Sequence, residues 1–481
     1  MSIGSVRRKH WYLAAIGSVA GVSGLAAMGL VVSGPPTAVD ADPARRVASS
    51  MNASGGDATP ATARNTDRGG EHTRKDEGHD SEAGGRRVPC DSDLLIAALV
   101  RANGEGVGRL ELEPKCTYTL TAFDEDETGQ RSGLPAILGR VSIEGNGATI
   151  VRAANAEPFR IFNVGSGGDL TLRHLTVKGG YDSEDGQGGG GLLVQRAGRA
   201  TIEASTFTLN RSAGAGGAIS NLGVTRIAGG EPSHAHGEDR AGDTLTEITH
   251  NFSEGEGGAI SNDVGLLTMD RVRLSDNSSL DDGGAFLNLG VARVSRTAFE
   301  RNHSVQTGGA IVVDAPDAIT ELRDSSLSGN TSNETGGAIS TIGGHLSVQE
   351  TDVSHNTALF DGGGIANSTG LVTVDRSRIT QNVTLTGRGG GFSNLAGPAV
   401  LRDTEVKLNR APASTGVAGG IENVDADLSL INTTIVENSS TRAPGGVFSN
   451  TQITVDDDST IVRNRPTNCA GSPNDIPNCF G

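Results

Sequence analysis

The stretch Gly216-Gly217-Ala218-Ile219-Ser220-Asn221 decides the fold, because close copies of it return until the chain runs out. They stand at Gly257 to Asn262, Gly283 to Asn288, Gly308 to Val313, Gly336 to Thr341, Gly362 to Asn367, Gly389 to Asn394, Ala418 to Asn423 and Gly445 to Asn450. Read from Ile219 through Ile260, Phe286, Ile311, Ile339, Ile365, Phe392 and Ile421 to Phe448, the apolar anchors step by 41, 26, 25, 28, 26, 27, 29 and 27 residues. A second phrase, an apolar residue three positions before an asparagine, keeps the same beat. It runs from Phe207 with Asn210 through Asn251, Asn277, Asn302, Asn330, Asn356, Asn382, Asn409 and Asn438 to Ile461 with Asn464. A fixed period in the mid-twenties that carries short alternating apolar runs is the signature of stacked β-coils, not of helical repeats.

The reading is an all-β, single-stranded, right-handed parallel β-helix of about a dozen coils. Glycine pairs supply backbone angles that other residues reach at a cost, and asparagine tolerates the left-handed region, so both serve the corners. Stacking sets like above like, so the asparagines form a ladder of side-chain amides beside columns of Ile, Leu, Val and Phe. With coils about 4.8 Å apart, the steps between the ten asparagines span roughly 43 Å.

Composition agrees. Glycine is 70 of 481 residues, but it is phased with apolar positions and so marks corners, not disorder. The formal charge of -17 is uneven: residues 1–41 carry +2, residues 42–87 balance to zero, and the remainder carries -19. An acidic rod is a poor partner for nucleic acid, which requires clustered Lys and Arg.

Residues 1–41 read as an export signal, with Arg7-Arg8-Lys9 ahead of an uncharged stretch from Trp11 to Gly34 and a small-residue site at Val39-Asp40-Ala41. At 24 residues the uncharged stretch is also long enough to stay as an amino-terminal membrane anchor, so cleavage and retention both stand. Residues 42–87 have almost no large apolar side chains and read as a disordered spacer, in which His72 and His79 are solvated. Residues 88–136 form an amino-terminal cap, residues 137–464 the β-helix and residues 465–481 a carboxy-terminal cap. In the first cap Asp91 or Ser92 starts a helix whose apolar face is Leu94, Leu95, Ala98 and Leu99, laid over the open end of the core. Short strands follow at Tyr118 to Leu120, Val141 to Ile143, Thr149 to Val151 and Phe159 to Val164, around Gly145-Asn146-Gly147. The four cysteines bracket the rod. Because its ends are far apart, Cys90 pairs with Cys116 and Cys469 with Cys479, as suits an oxidising compartment. Zinc would need tighter paired spacing and a nearby histidine.

Candidate chemistry is sparse. The one long step holds an insertion near residues 226–245 with His234, His236, Glu238, Asp239 and Asp243, the densest group of metal-ligand types, although such a polar loop is more often a solvated excursion. Glu256 and Asp282 take equivalent places on adjacent coils beside Asp281, where calcium could sit; the next members of that column are Thr307 and Thr335. Other columns alternate in sign, with Glu350, Arg376 and Asp403 in one and Asp352, Arg378 and Glu405 in another, as structural ladders do. Beyond the export signal only Tyr118 and Tyr181 could stack on a sugar ring, which disfavours a dedicated glycan cleft.

The two phrases in phase resemble the repeats of the chlamydial polymorphic outer-membrane proteins, which are surface adhesins, over roughly residues 170–464. No segment after Asn464 is long enough for that family's carboxy-terminal barrel, so its secretion route does not carry over. The opening from Cys90 through Cys116 to Ile150, and the close from Asn464 to Gly481, look like uncharacterised exported β-helix proteins of actinomycetes. The fold resembles the pectin-lyase-like solenoid, shared by polysaccharide lyases, hydrolases, tailspikes and adhesins, so fold alone selects no activity. The expectation is an exported or cell-surface, monomeric, non-enzymatic rod that acts as an adhesin or interaction scaffold. It would need no resident cofactor, its partner would be a surface protein or glycan, and it would meet membrane only through its amino-terminal segment. The alternative is a polysaccharide-active lyase or glycoside hydrolase working beside the insertion with Glu256, Asp281 and Asp282.

Overall fold

The computed structural model describes residues 85–126, 129–183, 186–230 and 245–481. They form an all-β parallel solenoid of about 13 turns. Each regular coil contributes two strands to a 25-stranded sheet, one to an 11-stranded sheet and one to a 10-stranded sheet. Register is strict: Ile219, Ile260, Phe286, Ile311, Ile339, Ile365, Phe392 and Ile421 are successive partners. The series ends on Val447, not Phe448. Ile421 pairs with Val447, which is fully buried, while Phe448 pairs with Glu422 and faces outward. Phe286 and Phe392 show that the inner column also takes a ring, so register and not size sets Val447 inside.

The ten asparagines are joined through their side chains. Asn302 Oδ1 accepts from both the backbone N–H and the Nδ2 of Asn277, at 3.1 and 3.0 Å. Its own Nδ2 donates to Asn330 Oδ1 and to the carbonyl of Leu274, each at 3.0 Å. Every member from Asn251 onward repeats this pattern, and Asn210 opens the series by accepting from the Gly180 N–H instead, so each buried amide is satisfied. Asn468 closes the series by accepting from Asn464. These asparagines do not adopt the left-handed conformation expected of them. The residue before each one does, as in His250 at φ 56°, Asp276 at 56° and Arg301 at 52°. An asparagine facing inward must keep its amide on the stack, so the corner angle falls to its neighbour.

A second asparagine column went unread. Asn221 Nδ2 donates to Asn262 Oδ1 and Asn262 Nδ2 to Asn288 Oδ1, both at 2.7 Å, and the column resumes from Asn367 through Asn394 to Asn423. A third column is of hydroxyls: Thr297 N–H donates to Ser325 Oγ, Ser325 N–H to Thr351 Oγ1 and Thr351 N–H to Ser377 Oγ.

The glycine pairs have two separate causes. Gly308 has φ +63°, and a Cβ there would sit 2.3 Å from Val312 Cγ2; a Cβ on Gly309 would meet the carbonyl oxygen of Gly337 in the next coil at 2.1 Å. The first glycine makes the concave corner and the second lets coils stack.

At the amino-terminal end, helix α1 (Ser92–Glu105) is capped by Asp91, whose carboxylate accepts from the N–H groups of Asp93 and Leu94. It buries Leu95, Ala98, Leu99 and Ala102. Leu94, expected on that face, is 48% exposed, because the buried stripe runs on to Ala102 instead. The strands expected at Val141 to Ile143 and Thr149 to Val151 are halves of one strand, Arg140–Arg152, with a register irregularity between Glu144 and Ala148. Arg86–Val88 adds a first parallel strand. Both disulfides form as expected, Cys90 with Cys116 and Cys469 with Cys479. Among the described residues no helix is long and apolar enough to cross a membrane, and Trp11 to Gly34 lies outside them.

Candidate functional site

The corner made by the first glycine of each pair is concave on the outside of the solenoid. The middle residue of each three-residue strand points outward into it, yet Ser261, Leu287, Val312, Ser340 and Ser393 are all 2% exposed or less. The trough is therefore dry at its floor, and its rim is the residue before each glycine pair. Backbone bonds link that rim coil to coil: Gly257 N–H reaches the Asp282 carbonyl, Gly283 N–H that of Thr307, Gly308 N–H that of Thr335 and Gly336 N–H that of Asp361.

Glu256 and Asp282 are consecutive rim residues. Burial, then the charges of Asp282 and Asp281, then those of Asp314 and Asp263, push the Glu256 carboxyl up to about 7. Asp282 rises to about 6 through burial and the neighbouring Asp281 and Asp314, even though the Thr307 N–H and Oγ1 both donate to its Oδ1 at 2.9 Å. Glu334, two coils further and nearer solvent, is also raised by burial and by Asp281. Near pH 6 to 7 this rim both holds and releases protons, which suits acid–base work and equally suits reception of a cation.

The column does not end at Thr335. Asp361 and Arg388 continue it, and Glu422 on the trough floor joins them. Ser393 Oγ donates to Glu422 Oε2 at 3.0 Å and Arg388 Nη1 lies 3.5 Å from Glu422 Oε1, while the Arg388 N–H donates to Asp361 at 2.7 Å. The Arg388 guanidinium also rests 5.7 Å from the Phe448 ring centre. Burial and Asp361 hold Glu422 up to about 7 despite Arg388. Following the rim two coils further would have found Asp361 and Arg388 in the sequence. Glu422 carries no such signal, because serine or an apolar residue precedes it in its column.

His234 and His236, with Glu238, Asp239 and Asp243, lie outside the described residues. Among the described residues no group of three or more His, Cys, Asp or Glu is set to hold a metal ion. The alternating ladders on the long sheet pair as expected: Arg376 with Glu350 at 2.9 Å and Arg378 with Asp352 at 3.3 Å. They line a cleft of about 660 Å³ with Arg296, Asp324 and Thr351. Tyr118 is buried and donates to the Val88 carbonyl at 2.8 Å, so it offers no ring to a ligand.

No protein-family model matches the sequence, and no curated protein does. Among solved structures the chain is similar to the A-module of the mannuronan C-5 epimerase AlgE6 of Azotobacter vinelandii, at 14% identity and a TM-score of 0.38, over 78% of this chain and 97% of that one. It is similar to tailspike protein 3 of bacteriophage CBA120, at 11% identity and 0.39, over 84% and 61%. It is similar also to PfbA, a surface adhesin of Streptococcus pneumoniae, at 12% and 0.33, over 77% and 95%. The parallel solenoid rests on the coil-to-coil register described above and not on these likenesses. At such identities the likeness carries no activity.

Proposed function

We propose that the chain is an exported, extracellular or surface-held solenoid that acts as an interaction scaffold, in the manner of an adhesin. The observation that supports this reading best is how the charges of the long sheet are used. Arg273 lies 3.1 Å from Glu247, Arg296 2.7 Å from Asp270, Arg301 2.9 Å from Asp276 and Arg376 2.9 Å from Glu350, each pair joining adjacent coils. Charges engaged coil to coil hold a stack in register, and those that line the cleft, Arg296, Glu350 and Arg376, are left with little to offer a substrate. Two disulfides at the ends of the solenoid are in keeping with an oxidising, extracellular setting.

A second reading has its own support. Glu256 and Asp282 sit on adjacent coils at the edge of a dry trough with carboxyls raised to about 7 and about 6. A proton donor beside a carboxylate is what lyase or glycosidase chemistry on a polysaccharide requires. The test is incubation of the purified chain with acidic and neutral polysaccharides, with and without calcium. The scaffold reading expects no new reducing ends or unsaturated products. Product release that is lost in Asp282→Ala would replace it with the enzyme reading.

A further inference from the structure

We infer that the corner formed by Leu280, Val305, Leu359, Phe360 and Leu385 is a docking face for a cationic polypeptide segment that also carries apolar side chains, an inference that rests on the scaffold reading. Leu280 and Leu385 are each 50% exposed, Phe360 47% and Val305 38%. Single exposed apolar residues are ordinary, but Leu280, Val305 and Leu385 are stacked with the half-buried Leu359, and Phe360 stands in the next column beside it. The N–H of Leu280 bonds to Ser253, that of Val305 to Ser279, that of Leu359 to Ser332 and that of Leu385 to Ala358, so each occupies the same place on its own coil, with Asn333 the one polar interruption. The stripe runs roughly 19 Å along the axis, the length of about six residues of extended chain or about 13 of helix.

Charge identifies the occupant. The corner and short-strand segments of these coils and the one before them, residues 252–264, 278–290, 303–318, 331–344, 357–370 and 383–397, hold nine Asp and Glu and a single basic residue, Arg388, at the Leu385 end. The other eight arginines between residues 252 and 397 lie on the long-sheet side, in its strands or at their bends, while the Arg388 guanidinium is engaged by Glu422 at 3.5 Å and by the Phe448 ring. Glu256, Asp281, Asp282, Glu334 and Asp361 therefore flank the apolar stripe on a face where acids outnumber bases nine to one. Part of the upward shift of Glu256, Asp282 and Glu334 is mutual repulsion, which an arriving cation would relieve. A bare cation would leave the stripe in water, and an acidic or neutral apolar partner would meet the repulsion unanswered. A segment that bears Lys or Arg beside Leu or Phe answers both.

The experiment titrates the full chain into a fluorescent Leu/Lys amphipathic peptide of about 13 residues, followed by anisotropy. The probes beside it are a Leu/Glu peptide of equal length, an all-Lys peptide and a chitosan oligomer. The Leu/Lys peptide should bind, and its affinity should fall about tenfold or more between about 50 and about 500 mM NaCl. Leu280→Ser with Leu385→Ser should weaken it about tenfold with the melting temperature unchanged, because both side chains are exposed; Asp281→Asn with Glu334→Gln should weaken it as much with a melting temperature no lower than the native chain's, because the charges removed repel their neighbours. The Leu/Glu peptide should not bind, and the all-Lys peptide and chitosan should bind more weakly. The inference is overturned by no binding of the Leu/Lys peptide at ~1 mM, by variants that bind like the native chain, or by equal binding of any other probe. Failure here leaves the scaffold reading open through its other faces, whereas polysaccharide turnover sinks that reading whatever the peptide does.

Discussion

Glu256 makes the carboxylate trough measurable without any ligand. Its carboxyl is raised from the usual 4.5 to about 7, so the folded chain binds this proton more tightly than the unfolded chain. Stability from the group is therefore complete below about pH 4 and is lost as pH rises through about 7. A shift of this size is worth about 3 kcal/mol as an upper figure, since the side chain keeps some contact with water. Gln has the same shape and no charge, so Glu256→Gln should match the native chain near pH 4 and exceed it by up to about 3 kcal/mol near pH 8. For a folded region of this size that is about 3 °C in melting temperature if the coils melt as one unit. The assay is differential scanning fluorimetry of both proteins across that range. Equal melting temperatures at both ends of the range, or a native chain more stable than the variant near pH 8, would refute the burial and repulsion assigned to the trough.

Asn302→Ala removes a side chain that serves Asn277, Leu274 and Asn330, and leaves buried donors and acceptors without partners. The expected loss is roughly 3 to 5 kcal/mol, read from urea melts. Arg378→Ala breaks a half-exposed pair with Asp352 and should cost less than about 1 kcal/mol in the same melts. In the amino-terminal cap, Leu99→Ala should destabilise by about 2 to 5 kcal/mol, whereas Leu94→Ser should be near neutral.

The period, the asparagine series, the end cap and both disulfides were legible because each is a local pattern repeated in phase. What failed was whatever depends on which way one residue faces. Phe448 fitted the anchor series by type, and only register places Val447 inside. Leu94 fitted the helical spacing, but the core lies one step round the helix from it. The left-handed residues before each asparagine are of many types, including Arg301, Gln381 and Leu408, so composition gives no hint of them. The trough was half legible: Glu256 and Asp282 stood out as carboxylates in one column, while two intervening threonines hid Asp361 and Arg388. The dryness that raises these carboxyls comes from glycines that bring the corner over the strand. Spacing does not encode that.

Coil-on-coil register can be tested with a designed cross-link. Arg378 and Glu405 are register partners on adjacent strands with exposed side chains, and strands so paired lie about 4.8 Å apart, within disulfide range. Arg378→Cys with Glu405→Cys should close a bond under mild oxidation, found by peptide mapping, while Arg378→Cys with Val406→Cys should not, since Val406 faces the core. Cross-linking in the second pair and not the first would contradict the stacking from which every face described above is built.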